Sequence, residues 1–213
     1  MAGVPDVTAE TKSDHSLLAL IAANVVALLI AYATGMDLRD LMMVYWIQSV
    51  IIGIAALVRL LCLNRFDPEG RHLAPPDQKR EMAFIFSVSY GFFHGFYFWF
   101  LAYSFGMLTH KFEPDLEFSA GHLLCGLVFA TNHGYALLLN VRRDVFGQDI
   151  NNVVVMAYPR IIPMHLAILF GGWFYDDAGA FALFAALKVA ADALMHVVEQ
   201  RVLDKGRVPS QRA

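Results

Sequence analysis

The sequence predicts an all-α, polytopic integral membrane protein, a bundle of six transmembrane helices whose fifth is kinked by proline. Three observations carry that reading. Of 213 residues, 58% are hydrophobic and 16% charged, with a mean hydropathy of +0.51. Soluble domains run at about 45–50% apolar and about 25% charged. Six apolar stretches, each long enough to cross a bilayer, are separated by polar loops. Basic residues gather in the second loop, the fourth loop and the C-terminal tail, while the third and fifth loops are acidic. The positive-inside rule then places both termini in the cytoplasm, in an inner (plasma) membrane. Net charge of −3 and a pI near 6.2 leave no broad basic surface, which argues against nucleic acid as a partner. The bilayer itself is the expected partner.

Residues 1–15 form a polar, net acidic leader, residues 16–203 the membrane domain and residues 204–213 a polar tail. The first span covers residues 16–34; its Ala31-Tyr32-Ala33 resembles a signal-peptidase site, but no basic region precedes it, so a retained anchor is expected. The second span, residues 41–63, carries Tyr45, Gln48, Ile52 and Arg59 on one face. Arg59, near its end, is expected to snorkel to the surface. The third span, residues 83–108, is dense in aromatics that read as lipid-facing or packing surface. Its His94 shares a face with Ser87 and Tyr90, and Gly91 and Gly95 thin the helix for close packing.

The fourth span, residues 119–140, holds His122 and His133 on one face, about 16 Å apart along the axis and too distant to share a metal. His133 is the deeper of the two and His122 interfacial, while His15, His72 and His110 read as solvent-facing. The fifth span, residues 153–174, contains Pro159 and Pro163 beside Arg160 and His165. Each proline removes a backbone donor and clashes one turn back, so the helix should open near its middle. The sixth span, residues 178–202, aligns Lys188, Asp192 and His196 on one stripe, with Lys188 and Asp192 close enough to pair. Cys62 and Cys125 occur singly and near opposite sides of the membrane, so no disulfide is expected.

Counting inward from each membrane face puts His94, His133, His165 and Asp192 at one depth near the bilayer centre. Lys188 falls slightly outside that level, and His196 and Arg160 slightly inside it. Ionisable groups at that depth cost roughly 2.5–3.5 kcal/mol each on insertion scales, so they must face one another or water. The sharpest expectation is a metal centre of zinc or another divalent transition metal, with His94, His133, His165, Asp192 and His196 as ligands. Arg160 and Lys188 would orient an anionic group, and a metal-activated water would hydrolyse a lipid or other apolar substrate. No HExxH or contiguous ligand motif is present. A transporter or proton relay through Lys188, Asp192 and His196 competes with it. So do a haem protein with His94, His133 or His165 as axial ligands, and a structural protein whose Lys188–Asp192 pair only neutralises charge.

The stretches VYWIQSVIIG at residues 44–53, RIIPMHLAILFGGWF at residues 160–174 and LKVAADALMH at residues 187–196 resemble a family of bacterial and archaeal membrane proteins of unknown function, DUF6498. The resemblance covers nearly the whole chain and implies the six-helix architecture without an activity. It departs at Gln48, where that family often carries a carboxylate after the Tyr-Trp pair. A weaker similarity, in residue types only, is to seven-helix zinc hydrolases of membranes, through Ser87 or Ser89, His94, Asp192 and His196. The helix count differs, and an Asp-x3-His replaces the histidine pair, which leaves an analogy.

Overall fold

The computed structural model describes residues 7–62, 76–104, 118–144, 154–155, 157–158 and 178–205. Among these the chain is all-α, with five α-helices: α1 Val7–Ala33, α2 Leu38–Cys62, α3 Pro76–Trp99, α4 Ala120–Asp144 and α5 Ala178–Lys205. They correspond to the first, second, third, fourth and sixth apolar spans. Pro159, Arg160, Pro163 and His165 of the fifth span lie outside the described residues, as do His72 and His110.

Two starts differ from expectation. Helix α1 begins at Val7, inside the polar leader. Helix α3 begins at Pro76 rather than near Ala83. Proline suits the first position of a helix, where its missing N–H has no intrahelical partner to lose, and Asp77 sets a negative charge against the positive end of the helix dipole. At its other end α3 widens into a π-helical turn, Phe100–Ser104. The Arg39 guanidinium donates to the carbonyls of Leu101 and Ala102 there, each at 2.8 Å, capturing oxygens that a regular helix would have used internally.

The α1–α2 connection shows how local chemistry sets the path. Gly35 takes φ 68°, while Met36 N–H reaches the Ala31 carbonyl at 2.9 Å and Gly35 N–H the Tyr32 carbonyl at 3.2 Å. That is a Schellman ending, which needs a left-handed residue and takes glycine because it has no Cβ. Asp37 and Asp40 then cap α2 reciprocally: Asp40 N–H donates to Asp37 Oδ1 at 2.8 Å, and Asp37 N–H to Asp40 Oδ2 at 3.3 Å. The chain reverses in four residues.

Helix α2 lies at the centre, packed against α3 and α4, while α1 packs against α4 and α5. The main core gathers Ala27 and Ala31 of α1, Leu41 to Tyr45 of α2, and Cys125 and Phe129 of α4. Small side chains on α1 let the helices approach closely, so that the Cys125 thiol reaches the Ala27 carbonyl at 3.5 Å. A second cluster joins Ala56 of α2 to Phe86, Tyr90 and Tyr97 of α3. Gly53 makes that contact possible: a Cβ there would run into the Tyr90 ring. Among the described residues Gly91 and Gly95 play no such part, since nothing there lies within 4 Å of where their Cβ atoms would be. The close packing expected of them is not made with the described helices; both glycines are exposed there.

Three described helices are long and apolar enough to cross a membrane: Leu38–Cys62, Pro76–Tyr103 and Phe181–Val198. Helix α1 contributes a shorter apolar stretch, Leu17–Ala33. The predicted six therefore become, among the described residues, five helices of which three meet that criterion.

Candidate functional site: a buried ionic and hydrogen-bonded cluster

Helix α5 presents Lys188 and Asp192 one turn apart on its inner face. Lys188 Nζ donates to Asp192 Oδ1 at 2.6 Å, with the two side chains only 3% and 4% exposed. The second carboxylate oxygen, Oδ2, accepts from Gln48 Nε2 of α2 at 2.9 Å and from Asn24 Nδ2 of α1 at 3.4 Å. The Lys188 ammonium also lies 5.0 Å from the centre of the Tyr45 ring, a cation–π contact. Tyr45 is held in turn against Phe184 at 5.7 Å and Phe129 at 6.2 Å. A buried carboxylate and ammonium lose several kcal/mol of hydration each, and only close pairing plus further hydrogen bonds offsets that. Asp192 has both.

A second polar unit lies between α2 and α3. His94 stacks on Tyr90, ring centres 4.1 Å apart and 21° between planes. Its Nδ1 is 2.8 Å from the Tyr90 carbonyl and its Nε2 is 2.8 Å from Ser49 Oγ. A carbonyl can only accept, so Nδ1 carries the hydrogen and, in the neutral ring, Nε2 accepts from the Ser49 hydroxyl. The Tyr90 hydroxyl donates to the Ser49 carbonyl at 2.8 Å. Beyond Tyr90, the Tyr158 and Ser89 hydroxyls meet at 2.6 Å. Trp46 ties the same helices together by donating from Nε1 to the His94 carbonyl at 3.0 Å.

The two units meet on α2. Gln48 and Ser49 are consecutive, so their side chains leave the helix about 100° apart at almost the same height. One reaches α5 and the other α3. His94 and Asp192, expected at one depth, are each bonded to one of these neighbours. Tyr45, Gln48, Ile52 and Arg59 are all buried, as the face they share implies. Arg59 was expected to snorkel outward; it is instead drawn inward, to 9% exposure. Ser87 is exposed and takes no part beside His94.

The other described candidate ligands are His133 and His196. His133 is buried on α4, its ring 6.5 Å from Phe129. His196 is half-buried, one turn beyond Asp192. Among the described residues no three His, Cys, Asp or Glu side chains come together to hold a metal ion. The physical reason is visible in two of the residues: both nitrogens of His94 and both oxygens of Asp192 are already engaged by protein groups. The expected grouping of His94, His133, Asp192 and His196 around one metal is thus not assembled by the described residues, and Arg160 and His165 lie outside them. Lys188 is paired with Asp192, as their spacing of four implied.

His122 was expected at the interface. It sits at the start of α4 but is buried, with Nδ1 2.9 Å from Ser119 Oγ and accepting from the Ser119 N–H at 3.2 Å. The imidazole thus makes one half of a capping box, reaching back to the Ser119 N–H as a glutamate would, while the His122 N–H donates to the Ser119 carbonyl at 3.1 Å. Its Nε2 lies 3.4 Å from Asp40 Oδ1 without hydrogen-bond geometry, an electrostatic contact between the N-terminal ends of α2 and α4. Sequence reasoning passed over Asn24 and Ser49. A lone asparagine inside an apolar helix was the available signal for the first, since such a group needs a partner.

The fold and the cluster together define an all-α protein with helices able to cross a membrane and an ionic, hydrogen-bonded centre. The chain belongs to a family of unknown function, DUF6498, whose model matches residues 6–207. No curated protein and no solved structure gives a match.

Proposed function

We propose that this is an integral membrane protein whose core carries protons, acting as a proton relay or proton-coupled carrier with Asp192 as the central group. The observation that supports it is the Lys188–Asp192 pair, 2.6 Å apart and almost fully buried within a membrane-length helix. An ion pair at that position is costly, and intramembrane ionisable groups mark substrate or proton pathways. Gln48 and Asn24 hold the carboxylate in place from two other helices, which keeps it aligned when its proton count changes.

The topology that goes with this reading has six spans, with residues 153–174 as the fifth and both termini cytoplasmic in an inner membrane. The exposed aromatic face of α3, with Phe84, Phe92, Phe96 and Trp99, would meet lipid. Metal-dependent hydrolysis of a lipid finds no comparable support, because His94 and Asp192 are bonded to other protein groups and no three candidate ligands come together among the described residues.

The test is proton flux across proteoliposomes containing the full chain, followed with a lumenal pH dye after a potassium-diffusion potential is imposed. Wild type is expected to acidify or alkalinise the lumen faster than empty liposomes, and Asp192→Asn to abolish the difference. Flux equal to that of empty liposomes would overturn the proposal. Metal content by mass spectrometry on the same sample decides the metal reading independently.

A further inference from the structure

We infer that His94 is a second proton-binding station of this core, set in a cage that satisfies it in both protonation states without moving a heavy atom. Its part in proton carriage rests on the function proposed above; its capacity to take a proton rests on the cage alone.

In the neutral ring, Nδ1–H donates to the Tyr90 carbonyl, Nε2 accepts from the Ser49 hydroxyl, and the Tyr90 hydroxyl donates to the Ser49 carbonyl, each at 2.8 Å. Ser49 Oγ also lies 3.2 Å from the Tyr90 hydroxyl oxygen, a contact in which either oxygen can donate. When Nε2 takes a proton, it becomes a donor to Ser49 Oγ. The Ser49 hydroxyl must turn away and needs a new acceptor. The Tyr90 oxygen at 3.2 Å is that acceptor, and Tyr90 goes on donating to the Ser49 carbonyl. A single hydroxyl rotation reorders the unit, and every hydrogen has an acceptor before and after. A histidine serving only to join α2 and α3 would need one state satisfied.

The surroundings suit a transient charge. The Tyr90 ring face lies 4.1 Å from the imidazole, and Tyr97 of α3 approaches edge-on at 6.5 Å. Helix α2 offers Ser49 and Trp46, and Tyr158 covers the Tyr90 ring at 6.0 Å. None of these described groups is charged, so among the described residues a proton on His94 is stabilised by a π-face and hydrogen bonds and not by a directly bonded carboxylate. The nearby negative group is Asp192, bonded to the residue of α2 next to Ser49. A proton that is held without a permanent counter-charge can be passed on.

The experiment is imidazole nitrogen NMR on the full chain in lipid nanodiscs with labelled histidine, His94→Gln supplying the assignment. In wild type His94 is expected to titrate between about pH 4 and about pH 9, from the Nδ1–H tautomer to the imidazolium. Tyr90→Phe removes the acceptor to which the Ser49 hydroxyl turns in the charged state, so the proton affinity of His94 is expected to fall roughly five- to tenfold. A His94 signal fixed over that range, a neutral Nε2–H tautomer, or a Tyr90→Phe curve superimposed on wild type would overturn the station. Flux lost while His94 still titrates would overturn the proposed function and not the cage.

Discussion

Asp192 is bonded from three directions, and the consequence at residue scale is an asymmetry between removing one charge and removing both. Lys188→Ala takes the ammonium away from a carboxylate in a site 3% exposed, where Gln48 and Asn24 donate to it, and breaking a buried ion pair by removing one partner costs about 3–5 kcal/mol. Lys188→Met with Asp192→Leu removes both charges while keeping volume, and such replacements are often neutral or stabilising. Denaturant unfolding in detergent should therefore show the single variant far less stable than wild type and the double variant close to it. A double variant as unstable as the single one would mean that the pair organises the fold. Full stability with no flux would leave the pair with a functional reason for being there.

Among the elements, the glycines of α2 and α3 carry the clearest contrast. Gly53 is the position over which the Tyr90 ring lies, so Gly53→Ala must push Tyr90 and with it the His94 unit. Overpacking of this kind costs typically about 1–3 kcal/mol. Gly91→Ala meets nothing among the described residues and should raise helix stability by roughly 0.5–1 kcal/mol, since glycine loses more backbone entropy than alanine in a helix. Thermal unfolding of the two variants side by side is expected to move in opposite directions. The sequence made Gly91 and Gly95 look like the packing glycines because they flank the aromatic run around His94. Spacing says which residues share a face, but not which face meets a neighbour, and here it is Gly53 that does. The start of α3 escaped sequence reasoning although Pro76 followed by Asp77 is a local start signal, because proline reads equally as a loop breaker; the end of α1 at Thr34-Gly35 falls where the first span is expected to stop.

For the whole molecule, the topology proposed above places the C-terminal end of α2 on the cytoplasmic side. Cys62 lies at that end and is exposed, while Cys125 is buried against α1. A membrane-impermeant maleimide should label one cysteine per chain, Cys62, in inside-out vesicles and none in right-side-out vesicles. Labelling in the opposite orientation would invert the topology.

What the sequence determined by itself was the all-α architecture, the family, the pairing of Lys188 with Asp192 and the buried face of α2. Each follows from short-range rules: composition, contiguous motif residues, a spacing of four and a helical repeat. The partners of Asp192 and His94 were decided only by tertiary structure. Gln48, Asn24 and Ser49 are polar but uncharged, so nothing in their local sequence separates a structural amide or hydroxyl from one that holds a carboxylate or a histidine. Their roles depend on how α1, α3 and α5 are rotated about α2, and that rotation is set by the packing of Ala27, Gly53 and Phe129. The same packing drew His94 to Ser49 and Asp192 to Gln48, two neighbours on one helix, in place of a common metal.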